Sequence, residues 1–317
     1  MACLPKFSKI IMKHNTKITI ILLTMFLVTQ IIGLFVISAY NNGIPLPYGM
    51  EPPEEIKQEP QGMQIILAFA IAITLFFILT KIKAIAFIRL WFFVVTTLAL
   101  GLALTVILFK LNITYQPQYL ALLIALPLAY IKIFKRHLLT HNITELLIYP
   151  GIAAVFIPLL NVLWIIILLL LISLYDIWAV WHSEFMQKMA KFQINNLKFF
   201  TGFFIPYADK KQKQKIKQLK QKYAVKGDKV LEKQFKKAKI KVSLAILGGG
   251  DIIFPIITAG VFYKVYQSLI PAFIIMASAT LALLFLFILA RKGKFYPAMP
   301  FLTIGMYLGM IISWLIF

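Results

Sequence analysis

Cysteine is almost absent from this chain, since the 317 residues include only Cys3. One cysteine cannot form an internal disulfide or supply a cysteine zinc site. Histidine is also scarce, and all four histidines lie near the ends of apolar segments. His137 and His141 have the i, i+4 spacing of a helical metal pair, but no third ligand is near them in sequence. We therefore interpret them as basic interface residues and expect neither a metal nor another cofactor.

Acidic side chains are the next scarce class. The chain has 11 aspartates and glutamates against 33 lysines and arginines, which gives a formal net charge of +22. Hydrophobic residues make up 61% of the chain, and the mean hydropathy is +0.86. Both values are far above those of a soluble domain of this length. The composition therefore predicts an integral membrane protein.

Nine apolar segments approach the length of a membrane span, which needs about twenty residues. The first of them follows a basic tail but lacks a convincing cleavage site, so we interpret it as a retained span and not as a signal peptide. The predicted fold is an all-α, polytopic membrane protein with nine transmembrane helices at 18–40, 63–80, 88–109, 119–134, 144–158, 161–180, 242–266, 270–290 and 299–317.

Basic residues mark alternate ends of these segments. Lysine and arginine collect in the N-terminal tail and near 81–83, 132–136 and 291–294, whereas the loop 41–62 carries four glutamates and one lysine. Cytoplasmic loops hold the excess of lysine and arginine. The pattern predicts a cytoplasmic N-terminus and an extracellular C-terminus.

One long hydrophilic segment, residues 184–241, divides the spans into two groups. It contains 17 lysines and 4 acidic residues. We predict three parts: transmembrane helices one to six in 1–183, a basic cytoplasmic loop in 184–241, and helices seven to nine in 242–317. The loop has no arginine and no recognisable nucleic-acid module, so attraction to anionic lipid headgroups is a simpler interpretation than nucleic-acid binding.

Two aspartates lie well inside apolar segments: Asp176 in the sixth and Asp251 in the seventh. A carboxylate within a membrane is costly and usually has a function. If both segments are helical from their cytoplasmic ends, at 1.5 Å per residue, both side chains lie roughly 12–15 Å from the same face. Adjacent carboxyl groups at matched depth can share one proton, as the two aspartates of an aspartic protease do.

Three glycines precede Asp251, and Pro255 follows it. Gly248, Gly249 and Gly250 allow another backbone or a substrate to come close, although tight helix packing is the alternative explanation. Pro255 lacks the N–H that would pair with the Asp251 carbonyl in a helix. Unpaired backbone at membrane depth is tolerated only where protein or water covers it, so we expect a water-lined cavity beside Asp251.

Three short motifs lie in the last four segments: Tyr175-Asp176 in the sixth, Gly248-Gly249-Gly250-Asp251 in the seventh and Pro297-Ala298-Met299-Pro300 at the start of the ninth. Together they resemble the motifs of the presenilin and signal peptide peptidase family of intramembrane aspartyl proteases. They correspond to the family's YD, GxGD and PAL motifs, with Met299 at the place of the family's leucine, a replacement of similar size. The resemblance implies that Asp176 and Asp251 are the catalytic dyad. It also implies that the flanking residues shape the site and the substrate channel: Tyr175, Gly248, Gly249, Gly250, Pro297, Ala298 and Met299. A tyrosine within a span is, however, more often a packing residue than a hydrogen-bond partner of the dyad.

The inferred orientation is similar to that of presenilins and opposite to that of signal peptide peptidases. With no long hydrophobic insert after the sixth span, the chain most resembles the archaeal presenilin homologues, which act without partner subunits. The resemblance implies a protease in the cell membrane that cleaves transmembrane helices, has no obligatory partner subunit and binds no nucleic acid.

Other classes stay open at this point. A proton- or cation-coupled transporter or channel also needs paired acids at membrane depth, although the sequence has no internal repeat and no matching broken segment in its first half. The prepilin peptidase class carries a similar aspartate motif but cleaves near the membrane surface. An inactive scaffold that binds membrane helices is the third alternative. Glu145, near the start of the fifth span, is interpreted as an interface residue.

Overall fold

The computed structural model describes residues 16–51, 62–82, 84–113, 115–135, 137–182, 192–197, 200–207, 243–290 and 296–317, with single positions 214 and 218. These described residues form nine α-helices, which are α1 Thr16–Asn41, α2 Gly62–Lys81, α3 Ile85–Lys110, α4 Pro117–Tyr130, α5 Leu138–Phe156, α6 Val162–Ile177, α7 Gly249–Tyr266, α8 Leu269–Leu289 and α9 Met299–Ile316. Short π-helical turns follow α4 at Ile131–Lys135 and α6 at Trp178–His182, and a third lies at Gln193–Leu197. A 3₁₀ turn, Ile157–Leu159, follows α5.

Seven helices in the described residues are long and apolar enough to cross a membrane. They are α1, α3, α4 and α5 with their following turns, α6 with its π turn, α8 and α9. A shorter apolar stretch, Ile66–Lys81, lies within α2. The mainly helical fold is therefore confirmed, whereas nine spans and the sides of the two termini stay predictions.

The seventh predicted span differs from the structure at its start. Residues Ser243–Gly248 form a strand, β2, which pairs with β1, Gly202–Tyr207, and the helix begins only at Gly249. The prediction of a helix from residue 242 is therefore wrong, and so is the depth estimate that depended on it, because a strand rises about twice as far per residue as a helix. A short apolar run fits either a strand or a buried helix, and the glycines after it disfavour a helix interior.

Two compact units make up the chain. One comprises Met1–Gly202 and Gly248–Phe317 and contains the nine described helices. The other comprises Phe203–Leu247 and contains most of the two paired strands.

Helix α7 is the central helix of the first unit. It contacts α1, α5, α6, α8 and α9, and almost every side chain from Ile252 to Tyr263 is buried. Other helices expose large apolar side chains, including Phe285 of α8 and Leu308 of α9. Such outward-facing apolar surfaces are those that lipid covers in a membrane protein.

Helix α9 is held between α8 and α6. Gly305 lies against α8 so closely that an added Cβ would be 2.5 Å from the Cβ of Ala282, which is the small-residue packing common in membrane helices. On the other side, the Tyr307 hydroxyl donates to the Ile166 carbonyl of α6 at 2.7 Å. These contacts hold the middle of α9 against α8 and against α6, the helix that carries Asp176.

Candidate active site

Asp251 lies in the first turn of α7. Gly248 is the N-cap residue with extended backbone (φ −66°, ψ 150°), and Gly249, Gly250 and Asp251 are the first three helical residues. A carboxyl group three residues after the N-cap can accept a hydrogen bond from the N-cap N–H. Gly248 is this backbone donor to Asp251. The helix dipole also favours a negative charge in this turn.

Asp176 lies at the end of α6, where the α-helix changes to a π turn. Only 6% of the residue is exposed. Its Oδ2 accepts a hydrogen bond from the Met299 N–H at 3.0 Å, and the Ala298 N–H is a second donor. Because Ala298 is the N-cap of α9 and Met299 its first residue, the positive end of a helix dipole is directed at this carboxyl group.

The structure brings the two predicted carboxyl groups close enough to interact electrostatically. This follows from the packing, since α6, α7 and α9 contact one another. Within the described part of the chain, neither Asp176 nor Asp251 forms an ion pair. The two aspartates thus lie within electrostatic range of each other, with backbone amides, and not cations, as their described polar partners.

The glycine run has different neighbours at each position. A Cβ added to Gly248 would lie 3.2 Å from Asp251 Oδ2, and one added to Gly249 would lie 2.7 Å from the Tyr149 hydroxyl. A Cβ on Gly250 would meet nothing closer than 3.9 Å, and that residue is exposed. A residue without a Cβ is therefore needed at Gly249, because Tyr149 of α5 packs directly against its backbone. Gly250 has open space at its Cβ position.

The remaining predicted site residues are Tyr175, next to Asp176 in the chain, and the segment Pro297–Met299 at the start of α9. The half-buried Tyr175 has its ring 6.4 Å from that of Trp178, measured between centroids. This contact is a packing contact. Pro297 and Met299 are buried and Ala298 is half-buried. Because Met299 contacts Asp176 through its backbone N–H, the replacement of leucine by methionine leaves that hydrogen bond unchanged.

A glutamine of α1, which sequence reasoning missed, lies against the start of α7. Pro255 provides no N–H for the Asp251 carbonyl. The next carbonyl, that of Ile252, accepts a hydrogen bond from Gln30 Nε2 at 3.0 Å, and Gln30 is 1% exposed. Protein therefore covers this flank of α7, and the water-lined cavity stays a prediction. The signal available was a single glutamine inside an apolar span.

A third acidic residue, Glu145, lies near the two aspartates. Glu145 is 1% exposed, and its Oε1 accepts a hydrogen bond from Lys132 Nζ, which is also buried. His141 Nε2 lies 3.7 Å from the same oxygen and 2.9 Å from the Gly202 carbonyl oxygen. The interpretations of Glu145 and His141 as interface residues are therefore wrong. Among the described residues, no group of three or more potential ligands could hold a metal ion.

Taken together, α6, α7 and α9 define a polytopic helical protein with two neighbouring carboxyl groups held at helix ends. The family model described as signal-peptide peptidase, presenilin aspartyl protease matches residues 23–317. The chain belongs to this family of intramembrane aspartyl proteases, and it is a multi-pass membrane protein. The resemblance found in the three sequence motifs is thus confirmed at the level of the family.

Solved structures show the same fold. The chain is similar to a presenilin family intramembrane aspartate protease in a C222 crystal form, with a TM-score of 0.58 and 18% identity over 94% of this chain and 99% of that one. A presenilin family intramembrane aspartate protease in a P2 crystal form gives a TM-score of 0.57 and 18% identity over 93% and 97% of the two chains. No curated protein matches the chain at a significant level.

Proposed function

We propose that this protein hydrolyses peptide bonds within the transmembrane helices of other membrane proteins, with Asp176 and Asp251 as its catalytic dyad. The observation that carries the proposal is the convergence of two helix N-termini on two neighbouring carboxyl groups. The Gly248 N–H at the start of α7 is a donor to Asp251, and the Met299 N–H at the start of α9 binds Asp176. Both side chains are thereby held in place without a cation that would neutralise them permanently.

In the proposed reaction, one carboxyl group of the dyad is ionised and the other carries a proton. The ionised group removes a proton from a water molecule, whose oxygen attacks the carbonyl carbon of the substrate peptide bond. The protonated group donates a hydrogen bond to the carbonyl oxygen, where negative charge develops. When the tetrahedral intermediate breaks down, the C–N bond is cleaved and the leaving nitrogen takes up a proton, giving a new carboxyl and a new amino terminus.

A transmembrane helix hides its amides in internal hydrogen bonds, so the substrate must unwind locally before water can attack. The proposed receiving surface is the glycine run together with the start of α9, from Pro297 to Met299. Gly250 supports this placement because it is exposed beside Asp251 and has open space at its Cβ position.

The finer cellular arrangement is part of the same proposal. It comprises nine spans, a cytoplasmic N-terminus and an extracellular C-terminus in the cell membrane. The basic segment 184–241 would lie against anionic headgroups, and no partner subunit would be required. The distribution of lysine and arginine supports the orientation and the headgroup contact. The nine apolar segments support the number of spans, and the resemblance to archaeal presenilin homologues supports a protein that needs no partner subunit.

The test uses the purified protein in lipid vesicles with a single-span reporter protein. We expect cleavage of the reporter that an aspartyl-protease inhibitor mimicking the transition state blocks. Asp176→Ala and Asp251→Ala should each abolish cleavage in a protein that still folds. Proton or cation flux without any cleavage would instead select a transporter, and binding of the reporter with neither activity would select a scaffold.

A further inference from the structure

Tyr149 is a buried residue of α5 that lies directly against the start of α7. It is 5% exposed, and its hydroxyl would be 2.7 Å from a Cβ on Gly249. The ring atoms follow closely, with Cε1 at 3.0 Å and Cζ at 3.2 Å from the same position. The hydroxyl is also within electrostatic range of the Asp251 carboxyl group. Tyr149 is therefore a neighbour of both the glycine run and the proposed catalytic aspartate.

A buried chain of polar groups reaches Tyr149 from the end of α4. The Lys132 ammonium donates to the Glu145 carboxylate, and the Tyr149 hydroxyl lies within electrostatic range of that carboxylate. Glu145 and Tyr149 are four residues apart in α5, which places them one turn apart on the same face of the helix. His141, one turn before Glu145, lies on that face as well.

Stability alone does not account for this chain of groups. A buried ion pair costs so much desolvation that well-packed apolar residues of similar volume are often as stable. The charge of Glu145 does, however, favour one direction of the nearby Tyr149 O–H dipole. The start of α7 needs such an external support, because glycine residues restrict the backbone least and have no side chains of their own to pack. Tyr149 supplies that support at Gly249.

We infer that Tyr149 is a positioning residue for Asp251, and that Lys132 and Glu145 hold the Tyr149 hydroxyl in the required place. Tyr149 acts through the Gly248–Asp251 turn and not on the substrate. This inference rests on the proposed proteolytic function, since it assigns a role beside the proposed dyad.

The first test is Tyr149→Phe, which keeps the ring and removes only the hydroxyl. We expect kcat for reporter cleavage to fall about tenfold with KM nearly unchanged, because substrate binding does not involve Tyr149. The matched control is Tyr40→Phe. The Tyr40 hydroxyl donates to the Leu102 carbonyl at 2.7 Å, so this variant also loses one partly buried hydrogen bond but should keep the wild-type kcat.

The second test is a rescue. Gly249→Ala places a methyl group against the Tyr149 hydroxyl and should lower kcat by shifting the turn that carries Asp251. Adding Tyr149→Phe removes the closest of the colliding atoms. We therefore expect the double variant to be more active than Gly249→Ala alone, although Tyr149→Phe lowers activity in the wild-type background. Two losses that multiply would show that the Tyr149 hydroxyl does not act on this turn, and would overturn the positioning role.

The third test replaces the ion pair by apolar residues in the double variant Lys132→Met, Glu145→Leu. This protein should fold, since no buried charge is left unpaired. Its kcat should fall as in Tyr149→Phe, and adding Tyr149→Phe to it should cause no further loss, because the groups act through one another.

The outcomes separate the two proposals. If the wild-type protein does not cleave the reporter, or if Asp176→Ala and Asp251→Ala remain active, the proposed function fails. If the wild type cleaves and Tyr149→Phe has the wild-type kcat, or if Tyr40→Phe loses as much activity as Tyr149→Phe does, the positioning role is overturned while the proposed function stands.

Discussion

The helical unit contains two sets of acidic side chains whose polar partners are of opposite kinds. Glu145 is matched by a buried lysine and a neighbouring histidine. Asp176 and Asp251 lie within electrostatic range of each other, and their described polar partners are backbone N–H groups at the starts of two helices. Two neighbouring carboxyl groups without a cation can hold one proton between them. The difference separates an acid that holds structure from a pair suited to chemistry.

The largest expected effect, a loss of cleavage, comes from removing one carboxyl group of the Asp176 and Asp251 pair. Asp176→Asn or Asp251→Asn keeps the side-chain shape but removes the acid and base chemistry, so reporter cleavage should fall by roughly 10²- to 10⁴-fold. Thermal unfolding in detergent should stay near the wild-type value, because no opposite charge is left unpaired. Wild-type cleavage rates in either variant would show that the replaced aspartate is not needed for catalysis.

Breaking the Lys132–Glu145 ion pair should, in contrast, cause a large loss of stability. Lys132→Ala leaves the Glu145 carboxylate buried without its cation and should lower the free energy of unfolding by about 3–5 kcal/mol. The comparison is with Lys132→Met, Glu145→Leu, which should recover most of that loss. Denaturant or thermal unfolding measures both. A Lys132→Ala protein as stable as the wild type would show that the pair is not the structural site inferred here.

A smaller effect is expected from Met299→Leu, which tests how Asp176 is held. The hydrogen bond to Asp176 comes from the backbone N–H, and leucine has a volume similar to that of methionine. The change in unfolding free energy should therefore be below about 1.5 kcal/mol, and cleavage should be retained. Loss of cleavage in a folded Met299→Leu protein would mean that the methionine side chain, and not its amide, is what the site requires.

The smallest expected effect is that of Tyr307→Phe, which removes one hydrogen bond between α9 and α6. Hydrogen bonds between membrane helices contribute about 0.6 kcal/mol on average. A correspondingly small fall in thermal stability is expected, with Asp176 still held by the start of α9. Complete loss of cleavage would show that the position of α9 depends on this single contact.

Much of the fold could be predicted because long apolar segments and the basic residues between them are local features of the sequence. The start of α7 could not be predicted from local features of this kind. The run before Gly249 is short and apolar and fits a strand or a helix equally. In the structure this run is a strand that ends at Gly248. Asp251 lies in the first turn of the helix that follows, where the helix dipole and the Gly248 N–H stabilise its carboxylate, and not in the middle of a long span.

The Lys132–Glu145 ion pair could not be predicted from the sequence for a different reason. Lys132 and Glu145 lie on separate helices, and no local pattern predicts that the turn after α4 brings the lysine inward. Part of the signal was present, since His141, Glu145 and Tyr149 repeat every four residues and share one helix face. Burial of that face depends on the packing of α5 against α7, which only the tertiary structure shows.

The most direct measurement is the position at which a single-span reporter is cut in lipid vesicles, determined from the masses of its two products. If the proposed function is correct, the new termini lie inside the apolar span and neither Asp176→Asn nor Asp251→Asn yields them. Products cut only outside the span, or the same products at wild-type rates from either aspartate variant, would contradict it.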